Sequence, residues 1–215
     1  MQKTVLFDLD GTLTDSAPGV MNSIRYGLCK IGIDEKDEKV LASFVGPPLV
    51  EAFRETYGIS EEKAQQALVQ FRVYFEEKGM FENSLYPGIA DLLKNLKEAG
   101  FGVGLATSKP EEYARRILDH FGILAFFDFL SGATMDEKRV KKPEVIGWAM
   151  EKYQLVPERT VMVGDRRFDI SGGRALGLWT VGVLYGYGDR AELETAGADQ
   201  IAATVEELER ILLNV

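Results

Sequence analysis

Two aspartates stand one position apart where an apolar run ends, in Val5-Leu6-Phe7-Asp8-Leu9-Asp10-Gly11-Thr12-Leu13. Side chains two apart on extended backbone point the same way, so Asp8 and Asp10 can converge on one point. Gly11 lets the chain turn beside them with no Cβ in the way. Like charges that close disfavour each other's ionisation unless a cation lies between them. The pair therefore suits a hard metal held by oxygen, or a nucleophile beside an acid/base. The plain alternative is a turn at Asp10-Gly11 with Asp8 as a helix cap. Three other clusters carry reactive groups: Thr107-Ser108-Lys109, Lys141-Lys142-Pro143, and Gly164-Asp165 with Asp169 one helical turn further on. Taken singly they read as a helix cap, a solvated lysine pair, and a turn followed by an exposed helical face.

The surrounding pattern places all four clusters. From about Leu85 the chain alternates between helical and strand periodicity. Helices are expected over 88–99, from Pro110 to Phe121, and over 143–153, 168–176, 192–196 and 205–213. Strands are expected over 101–106, 126–130, 160–163, 179–183 and 199–202, after a first strand ending at Asp8. Such alternation predicts an α/β fold, a Rossmann-like parallel sheet with helices on both faces. In an open parallel sheet the ligand site lies outside the carboxyl ends of the strands. Asp8 and Asp10, Thr107 to Lys109, and Gly164-Asp165 each follow an expected strand, and Lys142 stands at a loop-to-helix junction. Together they make a coherent kit: nucleophile, hard-metal site, phosphate hydroxyls and a balancing ammonium.

Residues 15–84 break the rhythm, with helical patterns over 18–31, 48–57 and 60–79 and no convincing strand. The expected organisation is a catalytic core of residues 1–14 and 85–215 with an inserted small α-helical cap domain at 15–84. The composition, 46% apolar and 27% charged over 215 residues, is that of a globular protein. A net charge of −9 argues against a nucleic acid polymer as partner, which needs a basic stripe. Cys29 is the only cysteine and lies near Ile24 and Leu28 in an apolar stretch, so it is expected to be a buried small hydrophobe. The lone His120 falls at a helix C-terminus. The first apolar run is cut by Asp8 and no stretch reaches bilayer length, so neither a signal peptide nor a membrane anchor is expected. The expected setting is the cytoplasm, with a monomer or homodimer.

Phe7 to Leu13, Thr107, Lys142 and Gly164-Asp165 through Asp169 match in turn the four motifs of the haloacid dehalogenase superfamily, which the chain resembles over essentially its whole length. Residues 8–16, Gly46-Pro47-Pro48, Tyr86-Pro87-Gly88, 106–110, 142–146, 163–170 and 182–188 resemble a phosphoglycolate phosphatase-like, 5′-nucleotidase-like branch with a helical cap. The resemblance implies that Asp8 is the nucleophile, Asp10 the acid/base, and Lys142 the cation beside both Asp8 and the phosphate. It implies Mg²⁺ as cofactor, held by Asp8, the Asp10 carbonyl and Asp165, with Asp169 orienting these ligands through water. Gly11, Thr107 and Ser108 would surround the phosphate, and Ser16 and Arg72 are nominated from the cap, with Asn22, Arg25, Tyr26 and Arg54 beside them. Helix packing for Tyr26 and surface ion pairs for the arginines are the competing readings. The implied activity is Mg²⁺-dependent hydrolysis of a small phosphorylated metabolite, such as a nucleoside monophosphate or phosphoglycolate, through an aspartyl-phosphate. The family's dehalogenases lack an acid at the place of Asp10. Phosphonate cleavage would need a Schiff-base lysine from the cap, where Lys30, Lys36, Lys39, Lys63 and Lys78 read as surface charges. A phosphosugar mutase and a non-catalytic regulatory member are the alternatives.

Overall fold

The structure, a computed structural model, describes residues 2–45, 49–136 and 138–215. Gly46-Pro47-Pro48, part of the resemblance, lies outside the described residues. The chain forms two compact units, Met1–Asp15 with Leu85–Val215, and Ser16–Ser84.

The larger unit is built on six parallel strands in the order β5-β4-β1-β6-β7-β8. These are β1 (Thr4–Phe7), β4 (Gly102–Pro110), β5 (Phe129–Ala133), β6 (Thr160–Gly164), β7 (Trp179–Val183) and β8 (Gln200–Ala202). Leu6 and Phe7 point to opposite faces of β1, and both are fully buried, so helices cover the sheet on both sides. On one face Leu6, Ala106 and Met162 pack against Val145 and Ile146 of α7 (Lys142–Tyr153). The other connecting helices are α5 (Ile89–Glu98), α6 (Glu111–His120), α8 (Arg167–Ala175), α9 (Arg190–Ala196) and α10 (Val205–Leu213). This is the α/β architecture the alternation predicts.

Register decides where chemistry can occur. Phe7 stands opposite both Leu105 and Val163, so Asp8, Ala106 and Gly164 come next at one level across β1, β4 and β6. Asp8, Ala106-Thr107 and Gly164-Asp165 therefore stand side by side. The Asp8 N–H donates to the Val163 carbonyl at 2.9 Å, carrying the ladder one residue past β1.

Two expected strand boundaries shift, and a pair of short strands is added. Strand β4 runs to Pro110, and its pairing with β5 slips between Ala106 and Pro110, a bulge that alternation alone does not reveal. The fifth strand begins at Phe129 rather than Phe126, because Leu124–Phe126 coil into a 3₁₀ turn. The chain leaves and re-enters the larger unit through two-residue strands, β2 (Thr14–Asp15) and β3 (Ser84–Leu85), that pair with each other.

The smaller unit is helical: α1 (Ala17–Lys30), α2 (Glu38–Ser43), α3 (Leu49–Tyr57) and α4 (Glu61–Glu77). Ile24, Leu28, Leu41, Phe44, Phe53, Ala64 and Ala67 form its core, with Phe44 edge-on to Phe53. Helix α2 lies in a charged run that masks its periodicity; Asp37 caps it by accepting from the Lys39 N–H at 2.8 Å. Cys29 is exposed, against expectation. It follows Leu28 by about 100° around the helix, which carries it off the stripe of Ile24 and Leu28. His120 ends α6 as expected, edge-on to Phe121. No helix among the described residues is long and apolar enough to cross a membrane.

Close approach of α1 to α4 depends on Gly27, where a Cβ would lie 2.5 Å from the Ala67 carbonyl oxygen. Alanine there gains about 1 kcal/mol of helix propensity but collides with rigid backbone, an overpacking cost of about 1–3 kcal/mol. Gly27→Ala is expected to lower stability by about 1–2 kcal/mol in urea denaturation, and a more stable variant would refute this packing account.

Candidate active site

Each chemical group at the strand edge is fixed by a local device. Gly11 adopts φ +79°, and a Cβ there would lie 2.2 Å from Asp165 Oδ2, so only glycine allows both the turn and the approach of Asp165. A Cβ on Gly164 would meet Asp169 at 2.2 Å, which lets the start of α8 close over the end of β6. Asp169 Oδ2 accepts from the Arg166 N–H at 3.1 Å, a reciprocal helix-start bond, and leaves Oδ1 to face inward. Lys142 is the first residue of α7, where Pro143 follows and Glu144 accepts from the Val140 and Lys141 N–H groups at 3.2 Å each.

These devices converge on Lys142. Its buried ammonium forms ion pairs with Asp8 Oδ1 at 2.8 Å and Asp169 Oδ1 at 2.7 Å, and donates to the Ala106 carbonyl at 3.0 Å. Burial alone would lower its pKa, but Asp169 and Asp8 together outweigh that and raise it, so the charge is kept. Carboxylate oxygens of Asp8, Asp165 and Asp169, all buried, lie within 4.8 Å of one another. Burial pushes Asp165 up from 3.8 to about 8, helped by Asp169 and Asp8. Burial likewise lifts Asp8 to about 6; Lys142 opposes, while Asp169 and Asp10 assist.

With all three acids ionised, one ammonium leaves two negative charges uncompensated, the charge of one divalent cation. Asp165 makes the fit specific. Its Oδ2 accepts the Tyr187 N–H at 2.7 Å, whereas its buried Oδ1 takes no hydrogen bond from any described residue. An oxygen-only donor set with an unsatisfied buried carboxylate oxygen suits a hard metal.

The sequence-nominated residues fall into three groups. Asp8, Asp165, Asp169 and Lys142 come together in one cluster, with Gly11 packed on Asp165. Thr107 is buried at the β4 bulge; its Oγ1 accepts the Lys109 N–H at 3.2 Å, and Ser108 beside it is exposed. Asp10 turns to Lys109, whose ammonium lies 2.8 Å from Asp10 Oδ1, so this lysine serves a carboxylate rather than standing open to an anion. Ser16 and Arg72 belong to the helical unit, Ser16 buried ahead of α1 and Arg72 half-buried on α4. Within that unit Arg25 pairs with Glu38, Arg54 with Glu61, and the Tyr26 ring meets Tyr74 at 5.3 Å, the packing and ion-pair roles. Lys30, Lys36, Lys39, Lys63 and Lys78 are all exposed. Sequence reasoning gave no role to the loop after β7, where Tyr187 meets Asp165. Its signal was available, since Gly186 and Gly188 also follow a strand at the same edge.

A family model described as haloacid dehalogenase-like hydrolase matches residues 5–183. The chain is 42% identical over 210 residues to tyrosine-protein kinase PtkA of Mycobacterium tuberculosis, covering 97% of this chain and 72% of that protein. It is 38% identical over 208 residues to a 5′-nucleotidase of Pseudomonas aeruginosa, covering 97% and 94%. The crystal structure of a predicted phosphatase from Clostridium acetobutylicum matches with a TM-score of 0.92 at 44% identity, across 100% of both chains.

The raised carboxylates make stability depend on pH. A folded pKa above the unfolded value means that the folded state binds more protons, so stability falls as pH rises from about 4 through 6 and 8. In EDTA the Tm is expected to fall between pH 5 and 8.5, and Asp165→Asn to flatten that slope. A divalent cation should restore more at pH 8 than at pH 5. An unchanged slope in Asp165→Asn, followed by calorimetry, would count against this charge arrangement.

Proposed function

The chain belongs to the haloacid dehalogenase-like hydrolase family, and on that premise we propose that it is a Mg²⁺-dependent phosphatase of small phosphomonoesters. Nucleoside monophosphates and phosphoglycolate-like acids are the substrate classes, and the reaction runs through an aspartyl-phosphate. The observation that carries this reading is the Lys142 ammonium held between Asp8 and Asp169, beside the unsatisfied oxygen of Asp165.

An Asp8 oxygen attacks phosphorus, the ester P–O bond breaks, and the departing oxygen takes a proton from Asp10. Water then attacks the phosphorus, Asp10 takes its proton, and the P–O bond to Asp8 breaks to release phosphate and restore the carboxylate. Lys142 lowers the cost of bringing an anion to an anion and keeps Asp8 ionised despite burial. The Thr107 hydroxyl and the Ser108 N–H hold phosphate oxygens at the β4 bulge, and Gly11 leaves backbone room beside them. Asp8, Asp165 and the Asp10 carbonyl would hold Mg²⁺, with Asp169 orienting them through water, and the ion would supply charge that offsets the phosphoryl oxygens. A net charge of −9 favours a small anion drawn in by a local ammonium over a nucleic acid polymer.

One similarity supports a second reading. Identity of 42% with a protein named as a tyrosine kinase suggests a tyrosine hydroxyl, in place of water, as phosphoryl acceptor. Product analysis separates the two readings: free phosphate from a panel of monoesters, against phosphotyrosine formed from γ-labelled ATP.

Asp8→Asn is expected to reduce phosphate release at least about a thousandfold with the Tm preserved, and Asp10→Asn about 10²–10⁴-fold. EDTA should silence the wild type, with Mg²⁺ restoring it. Near-normal turnover in Asp8→Asn would remove the nucleophile from the scheme.

A further inference from the structure

The segment after β7, Leu184 to Gly188, makes contacts that a mere connection does not need. A Cβ on Gly186 would lie 2.2 Å from the Gly11 carbonyl and 2.4 Å from Asp165 Cβ, and one on Gly188 would lie 2.0 Å from the Asp165 carbonyl. Both glycines thus allow the Tyr187 N–H to reach Asp165 Oδ2 at 2.7 Å. The same residue is tied at its far end, where its phenol donates to Asp15 Oδ1 at 3.0 Å. Asp15 ends the first segment of the larger unit. Tyr185 is anchored in parallel, its ring edge-on to Tyr86 at 4.9 Å, one residue after the chain re-enters that unit at Leu85.

We propose that Tyr187 is a positioning residue for the metal site: anchored by its phenol on Asp15, it holds Asp165 so that Oδ1 faces the cation. The inference rests on the metal-dependent reading above and deepens it. A carboxylate can rotate to present either oxygen, and a fixed N–H on one of them removes that freedom before the cation arrives. Groups that orient metal ligands typically change metal affinity by about 10–100-fold when lost. Tyr187 acts here through its backbone, so its side chain matters only as the anchor that keeps the amide in place. Gly186 and Gly188 set the approach, and Asp15, with the Tyr86 hydroxyl also hydrogen-bonded to Tyr187, sets the anchor.

The experiment is Mg²⁺ titration of the full chain by isothermal calorimetry, which requires no turnover. Tyr187→Phe is expected to weaken Mg²⁺ binding about tenfold while the Tm in EDTA stays at the wild-type value. Asp15→Ala should weaken binding in the same direction, and the double variant should be no weaker than Tyr187→Phe alone. Asp15→Asn keeps an oxygen acceptor for the phenol and should bind within about twofold of wild type. Wild-type affinity in Tyr187→Phe, or additive losses in the double variant, would overturn the proposal alone. Absence of Mg²⁺ binding by the wild type would overturn the metal-dependent reading together with it.

Discussion

The Lys142 ammonium is held inside the protein by ion pairs to Asp8 and Asp169 and a hydrogen bond to the Ala106 carbonyl. A buried ion costs several kcal/mol in lost hydration and is tolerated only where fixed partners replace water. Here the partners come from the end of β1, from Ala106 within β4 and from the start of α8, so the charge can be satisfied only when β1 and β4 hold their register and α8 starts beside them. The electrostatics of the site and the register of the sheet are therefore one constraint. Any slip of a strand would leave a buried ammonium or a buried carboxylate alone, a penalty on the order of 3–5 kcal/mol. That is a substantial share of the stability of an ordinary domain.

The same economy appears in side chains that have two tasks. Asp169 closes the first turn of α8 with one oxygen and faces Lys142 with the other. Gly11 and Gly164 are needed because acidic side chains occupy the space a Cβ would take. The acidic cluster is thus embedded in the packing of the core and in the capping of a helix. A glycine replaced here would disturb geometry and chemistry together, which limits how far the site can drift without loss of the fold.

Much of this could be read from sequence, for an identifiable reason. Asp8, Thr107 and Asp165 each follow a run of apolar, β-prone residues, and a parallel sheet brings such positions to one edge. Lys142 was legible through Pro143, which marks a helix start. What escaped depends on spatial neighbours. The slip of β4 against β5 and the 3₁₀ turn before β5 are settled by packing, and no local pattern encodes them. The preference of Lys109 for Asp10 is a pairing across 99 positions that composition cannot indicate. Cys29 shows the opposite limit, since an apolar neighbourhood in sequence did not mean the apolar face of the helix.

Strand β1 lies at the centre of the sheet, yet both of its partners, β4 and β6, come after the helical insertion. On a ribosome adding about 5–20 residues per second, close to a hundred residues separate Phe7 from Leu105, a delay of roughly 5–20 s. The helical unit is continuous in sequence and can fold within that interval, whereas the strand leading to Asp8 waits as an unpaired apolar segment. High contact order around β1 thus makes the emerging polypeptide vulnerable to aggregation early, and chemically inert until most of the core has left the exit tunnel.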